Sequence, residues 1–270
     1  MSTLTLDHVT KKYRLRNGLH TSDLVAADDV SFTLESGKTI ALVGQSGSGK
    51  STIAKLILQV EKPTSGEILM DGAPIERHGG GLKEYRKSVQ MVFQDPFASL
   101  NPYHSIEHHL DRPIALHFPE LTKEQRHERV LQILEKVRLT PAEDFAGRHP
   151  HELSGGQRQR VAIARALAPE PKILIADEPV SMLDVSIRLG VLNLLANLQR
   201  EDNLGVLYIT HDLATARHFS DEIMVMYKGK IIEHGPADDV ILHPQQEYTK
   251  LLANAAPNPE RRLSQLTGTK

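Results

Sequence analysis

Thr39-Ile40-Ala41-Leu42-Val43-Gly44-Gln45-Ser46-Gly47-Ser48-Gly49-Lys50-Ser51-Thr52 runs from a mostly apolar stretch straight into a glycine-rich loop. Thr39 to Val43 has the near-continuous apolar character of a strand buried on both faces. From Ser51 to Val60 the apolar residues recur at helical spacing. A loop of the form G-x-x-x-x-G-K-[S/T] between a buried strand and a helix is a phosphate cradle. Its glycines let the backbone close in so that successive N–H groups face one phosphate, and the helix start adds partial positive charge. Lys50 is then placed to bridge β- and γ-phosphates, and Ser51 to ligate Mg²⁺. The nucleotide-holding set read from this stretch is Gly44, Ser46, Gly47, Ser48, Gly49, Lys50, Ser51 and Thr52.

Upstream, Leu4-Thr5-Leu6-Asp7-His8-Val9 alternates apolar and polar residues, and Val30-Ser31-Phe32-Thr33-Leu34 does so again. Both read as half-buried strands of an antiparallel N-terminal sheet. Downstream, Val89 to Phe93 is a further strand, with His78-Gly79-Gly80-Gly81 expected as a flexible loop before it. From Ser105 to about Ala168 strand patterning gives way to two or three helices, among them Lys123 to Arg138. Strands return at Ile173 to Ala176, Val206 to Ile209 and Ile223 to Met226, with a helix over Val185 to Arg200, and Tyr227 to Ile231 turns back as a hairpin. Such alternation implies a parallel sheet covered on both faces. The expected division is an α/β core over 1–94 and 169–235 carrying the antiparallel sheet, an inserted helical subdomain over 95–168, and a short C-terminal extension over 236–270. The tail beyond Pro257 is expected to be mobile.

Composition narrows the function classes. A net charge of -2 gives no basic footprint for nucleic acid, so none is expected as partner. No cysteine is present, which removes disulfides, thiolate metal sites and cysteine-ligated Fe–S clusters. Histidines are scattered, and His108-His109 are adjacent instead of one helical turn apart, so they are not read as metal ligands. The apolar runs are strand-sized, far below the ~20 residues of a membrane span. Met1-Ser2-Thr3-Leu4 lacks the basic start and apolar stretch of a signal peptide, so a cytosolic location is expected.

A phosphate loop alone is common to kinases, GTPases, helicases and ABC ATPases, and other residues must choose among them. Leu153-Ser154-Gly155-Gly156-Gln157 opens a helix; on its own it reads either as a second anion site or as a plain N-cap followed by glycines. Asp177-Glu178 follows the buried strand Ile173 to Ala176 and reads either as a metal-and-water pair or as a solvated loop. Taken together these stretches resemble the signature sequence and the Walker B strand of ABC ATPases, in the family's order and over roughly Leu4 to Glu233. The resemblance implies the ABC ATPase fold, that is, a P-loop NTPase core with an antiparallel β subdomain and an inserted helical signature subdomain. It implies that Asp177, Ser51 and Gln94 hold Mg²⁺, that Glu178 polarises the attacking water, and that His211 contacts the γ-phosphate. Lys50, Gln94, Glu178 and His211 are the catalytic set it implies. Ser154, Gly155, Gly156 and Gln157 would close on the ATP of a second ATPase subunit, a paralogue or a copy of this chain, with Asp184 as a polar contact across the dimer. Tyr13 is placed like the aromatic that stacks on adenine.

Phe93-Gln94-Asp95-Pro96-Phe97-Ala98-Ser99-Leu100-Asn101-Pro102 is similar to a stretch of the dipeptide, oligopeptide and nickel uptake group, as is His243-Pro244 with Glu247 to Leu252. This similarity implies an importer subunit on the cytoplasmic face of the membrane, most consistent with peptides, with oligosaccharides or metal chelates as alternatives. Its partners would be transmembrane permease subunits, contacted near Gln94 to Pro102, and indirectly a solute-binding protein. Relatives with a cysteine-ligated Fe–S cluster have a longer C-terminal domain; this chain resembles the shorter ATPase of a pair. Tandem translation-type and coiled-coil DNA-repair ABC proteins fit poorly, because each motif occurs once and there is neither a heptad stretch nor a cysteine.

Overall fold

The structure, a computed structural model, describes residues 1–17, 20–76 and 78–255. A long ribbon opens the chain, with β1 (Thr3–Asn17) antiparallel to β2 (His20–Glu35). Next come β3 (Thr39–Val43), α1 (Lys50–Ile57), β4 (Ser65–Met70) and β5 (Ala73–Pro74), and the outer strands of this group join the ribbon in the order β2-β1-β4-β5. The chain continues through α2 (Gly79–Ser88) and β6 (Val89–Val92) into a helical region. That region holds α3 (Pro96–Ser99), α4 (Ile106–His117), α5 (Lys123–Lys136), α6 (Ala142–Gly147), a 3₁₀ turn at Pro150–Glu152 and α7 (Gly155–Leu167). Then follow β7 (Ile173–Asp177), α8 (Val185–Glu201), β8 (Gly205–Thr210), α9 (Leu213–Phe219), β9 (Glu222–Tyr227), β10 (Lys230–Pro236), α10 (Ala237–Leu242) and α11 (Glu247–Ala255).

The second sheet runs β10-β9-β3-β8-β7-β6, parallel except for β10 at its edge. Every residue of β3 is buried, which is why its sequence is continuously apolar instead of alternating. Ala41 and Val43 face one core cluster, shared with α4 to α8; Ile40 and Leu42 face another, shared with the ribbon and α1. Parallel register sets Val43 level with Thr210, Asp177 with Ile209, and Val92 with Ala176. The carboxyl ends of β3, β6, β7 and β8 therefore open along one edge, where ligands of such sheets bind.

Three local expectations are corrected. His78 to Gly81 is not a loop: Gly79 to Gly81 form the first turn of α2, whose buried Tyr85 donates from its hydroxyl to the Ile57 carbonyl at 2.5 Å. That tertiary anchor outweighs the poor helix propensity of three glycines. Helix α1 stops at Ile57 instead of Val60, because Gln59 adopts a left-handed φ of 54°. The helical region has more pieces than expected, since α6 is too short to show a period and α4 carries Pro113 inside it. The tail beyond Pro257 lies outside the described residues. Among the described residues, no helix is long and apolar enough to cross a membrane.

Leu42 is fully buried between the ribbon and α1. Leu42→Ala is expected to lower unfolding stability by about 2–5 kcal/mol, through lost transfer energy and the cavity left behind. Urea unfolding followed by circular dichroism measures it as a fall in midpoint.

Candidate functional site

At the carboxyl edge of the parallel sheet lies a cleft of about 920 Å³. Ser46, Gly47, Gly49, Lys50, Ser51 and Thr52 form its floor. The loop can wrap this tightly for a steric reason. A Cβ on Gly44 would stand 2.3 Å from the Met226 carbonyl oxygen, and one on Gly49, which has a φ of 114°, would stand 2.2 Å from the Ala26 carbonyl oxygen. Only glycine lets the loop lie against β9 and β2 at those points. Lys50, at the start of α1, is 93% removed from solvent, with 7% exposure; its Nζ donates to the Gly44 carbonyl at 2.5 Å and to the Gln45 carbonyl at 3.1 Å. Burial depresses its pKa, opposed by the nearby charges of Glu178 and Asp177. Ser48 Oγ is buried without a hydrogen-bond partner. An orphaned polar atom beside the backbone of a glycine-rich loop fits a site built for an oxyanion.

The opposite wall is acidic. Asp177 ends β7, and its carboxyl is pushed up to about 6 by burial and then by Glu178, with Lys50 pulling the other way. Glu178 has a left-handed φ of 43°, held by its N–H bonding the Ile209 carbonyl at 2.8 Å. A bulky residue in that region is strained, and the surrounding parallel strands hold it there. Its two oxygens meet Gln94 Nε2 at 2.9 Å and His211 Nδ1 at 2.9 Å. Gln94 arrives from just past β6 and His211 from just past β8, so three strand ends converge on one carboxylate.

Tyr13 lies on β1 opposite Leu24, and both border the cleft with Val25. Leu24 and Val25 are exposed, giving that side a flat apolar wall suited to a base. Ser51, Asp177 and Gln94 border the same space, an all-oxygen donor set of the kind magnesium takes. The raised carboxyl of Asp177 is a charge imbalance that a divalent cation would relieve, so the residues present fit Mg²⁺.

Ser154, Gly155, Gly156 and Gln157 do not line this cleft. Ser154 caps α7 through a reciprocal capping box: its Oγ accepts from Gln157 N–H at 3.3 Å, and its own N–H donates to Gln157 Oε1 at 2.9 Å. Within the chain the local role is thus the N-cap role. A Cβ on Gly156 would come within 2.7 Å of Ile187 Cγ2, so the helix start is packed against α8. Asp184 is the N-cap residue of α8 and also lies outside the cleft. Beside it Met182, Val185 and Leu189 leave an exposed apolar face.

Sequence reasoning missed Lys228 and Gly229, which border the cleft from the β9–β10 turn. Gly229 N–H donates to the Ser48 carbonyl at 2.9 Å, and its own carbonyl accepts from Asp28 N–H at 2.9 Å. A hairpin was legible there, but its contact with a loop 181 residues earlier was not.

A family model described as ABC transporter matches residues 27–181. The chain belongs to the ABC transporter family. The dipeptide transport ATP-binding protein DppF of Haemophilus influenzae is 45% identical over 265 residues, covering 96% of this chain and 80% of that protein. The oligopeptide transport ATP-binding protein AppF of Bacillus subtilis is 45% identical over 264 residues, covering 96% and 79%. Among solved structures, a dimeric post-hydrolysis ATP-binding cassette bound to ADP and Pi aligns with a TM-score of 0.75 at 33% identity, over 87% of this chain and 98% of that one. The cbiO1 structure from Clostridium perfringens, part of an ABC transporter complex, aligns with a TM-score of 0.79 at 27% identity and 98% coverage of both. The fold is the ABC ATPase fold, and this ABC transporter subunit binds ATP and hydrolyses it in support of transport.

Asp177 supplies a pH test. Its folded carboxyl lies above its ordinary value of 3.8, at about 6, so the fold favours the protonated form. The resulting stability is complete below pH 3.8 and is lost as pH rises through about 6. Asp177→Asn is expected to raise the melting temperature of the nucleotide-free chain at pH 7 and to flatten its pH dependence between those two values. Thermal unfolding scans across that range check it.

Proposed function

We propose that this chain powers uptake of peptides through a membrane permease, by hydrolysing ATP at a site completed by a second ATPase subunit. The observation that carries the reading is the convergence of Gln94, Glu178 and His211 opposite Lys50 across one cleft. The loop amides and Lys50 take the phosphate charge, and Ser51 and Thr52 at the helix start orient it. Ser51, Asp177 and Gln94 would hold Mg²⁺, which would supply neutralising charge to the phosphate oxygens. Glu178 accepts the proton of a water that attacks the γ-phosphorus; the bond to the bridging oxygen breaks, and ADP and phosphate leave. His211 moves from Glu178 to the γ-phosphate, Tyr13 stacks on adenine, and Lys50 leaves the Gly44 carbonyl for the phosphate oxygens. Because phosphoryl transfer is governed by positioning and charge, no covalent enzyme intermediate is needed.

Ser154 to Gln157 are placed away from their own chain's cleft, which supports their serving the ATP of the partner, a paralogue or a second copy. Asp184 with its exposed apolar neighbours supports the same docking face. Residues 95–168 act as the helical subdomain, carrying Gln94's movement to the permease near Gln94 to Pro102, on the cytoplasmic face of the membrane; a solute-binding protein delivers the cargo. Peptides are favoured as cargo because the similar proteins named for dipeptide and oligopeptide transport match nearly the whole chain.

Hydrolysis by the wild-type chain and by Glu178→Gln, with the oligomeric state of each in Mg-ATP by light scattering, tests the mechanism. The substitution is expected to cut turnover by about 10²–10⁴-fold and to accumulate an ATP-dependent dimer. If Glu178→Gln hydrolyses at the wild-type rate, the carboxylate is not the proton acceptor.

A further inference from the structure

We propose that Tyr248, on the C-terminal helix α11, is a positioning residue of the phosphate loop, its hydroxyl fixing the Gly44–Gln45 peptide plane against which Lys50 rests.

Gln45 N–H donates to Tyr248 Oη at 3.1 Å, a contact between residues 203 positions apart. The Gly44 carbonyl accepts from Lys50 Nζ at 2.5 Å. These two groups belong to a single peptide unit, planar and trans, whose C=O and N–H point in opposite directions. A tyrosine on one side and the lysine on the other therefore clamp one rigid plate. Turning the plate would break both hydrogen bonds at once, leaving a polar group without a partner in a closely packed loop.

The tyrosine is held firmly enough to act as a reference point. Its ring packs on Tyr227, the last residue of β9, with centroids 4.3 Å apart and planes inclined by 35°. The approach of α11 is set by Glu233 on β10, whose two carboxylate oxygens accept Gln245 N–H at 2.7 Å and Gln246 N–H at 3.1 Å. Thr249, the next residue along, is fully buried, and Tyr248, Leu252 and Ala253 pack against the larger core cluster. The hydroxyl thus hangs from the sheet and the core, independently of the loop it touches. A side chain with two rotatable torsions loses little entropy in being held this way.

The clamp matters most when Lys50 moves. Once the lysine leaves the Gly44 carbonyl for phosphate oxygens, Tyr248 is the side chain that still holds the Gln45 end of the plate. With the hydroxyl present the first turn of the loop is already in place when nucleotide arrives; without it, binding must also order that peptide. The cost falls on affinity, because in the bound state the phosphates themselves organise the loop. Nothing in the sequence around Tyr248 signals this role, since the contact is created only by the return of α11 across the sheet edge.

Tyr248→Phe keeps the ring on Tyr227 and removes only the hydroxyl. Equilibrium titration of the full chain with ATP in EDTA is expected to show about three- to tenfold weaker binding, as loss of one hydrogen bond to a held donor predicts. In steady-state hydrolysis, KM for ATP is expected to rise by the same factor with kcat within about twofold, and the nucleotide-free melting temperature to stay within about 1 °C of wild type. Tyr248→Ala is expected to show at least the same affinity loss plus a lower melting temperature, from the lost ring. The proposal is overturned if Tyr248→Phe binds ATP like wild type while Tyr248→Ala loses only thermal stability, which would make the ring a packing element alone. A fall in kcat at unchanged KM would equally overturn it.

Discussion

The parallel pairing of β3 with β8, and of β8 with β7, is the constraint from which the site follows. Register brings Val43, Thr210 and Asp177 to nearly one level, so a phosphate-binding loop, a histidine and two carboxylates reach the same edge. That register is strongly held because both faces of the sheet are packed, and a one-residue slip would turn side chains fitted to one core cluster into the other. The two core clusters on either side of β3 supply that cover. They also tolerate the left-handed Glu178 and the tight wrap at Gly49, conformations that isolated loops would not keep.

Charge inside the cleft is arranged to be incomplete. Lys50 and Asp177 each carry a desolvation penalty, and each partly offsets the other, yet Asp177 remains raised and Lys50 depressed. A structural ion pair would bring the two into direct contact; here Lys50 bonds backbone carbonyls instead. The site is therefore most comfortable with an anionic ligand at the lysine and a cation at the aspartate, which is the charge pattern of magnesium-bound nucleotide.

Much of this was legible in the sequence because the decisive residues stand where an apolar run ends. Gly44 after Val43, Gln94 after the strand at Val89, Asp177 after Ala176 and His211 after Thr210 each mark the carboxyl end of a buried strand. The signature stretch was only half legible: Ser154 as an N-cap and Ser154 as a partner-facing anion site look identical locally, and the chain's own geometry displays the cap. Helix α2 was misread because its stability comes from Tyr85 reaching Ile57, a contact no propensity encodes. Lys228, Gly229 and Tyr248 were illegible for the same reason, as each gains its meaning from a neighbour supplied by folding.

The bridge from Gln94 through Glu178 to His211 has a mechanical consequence. With one contact on each oxygen and its side chain 18% exposed, Glu178 is tethered to two separate strand ends at once. Each of its oxygens keeps a second lone pair for a water, and Gln94 sits where the helical region joins the sheet. That one side chain is a mechanical link, joining the start of the helical region to the carboxylate and, through it, to the far strand end that carries His211.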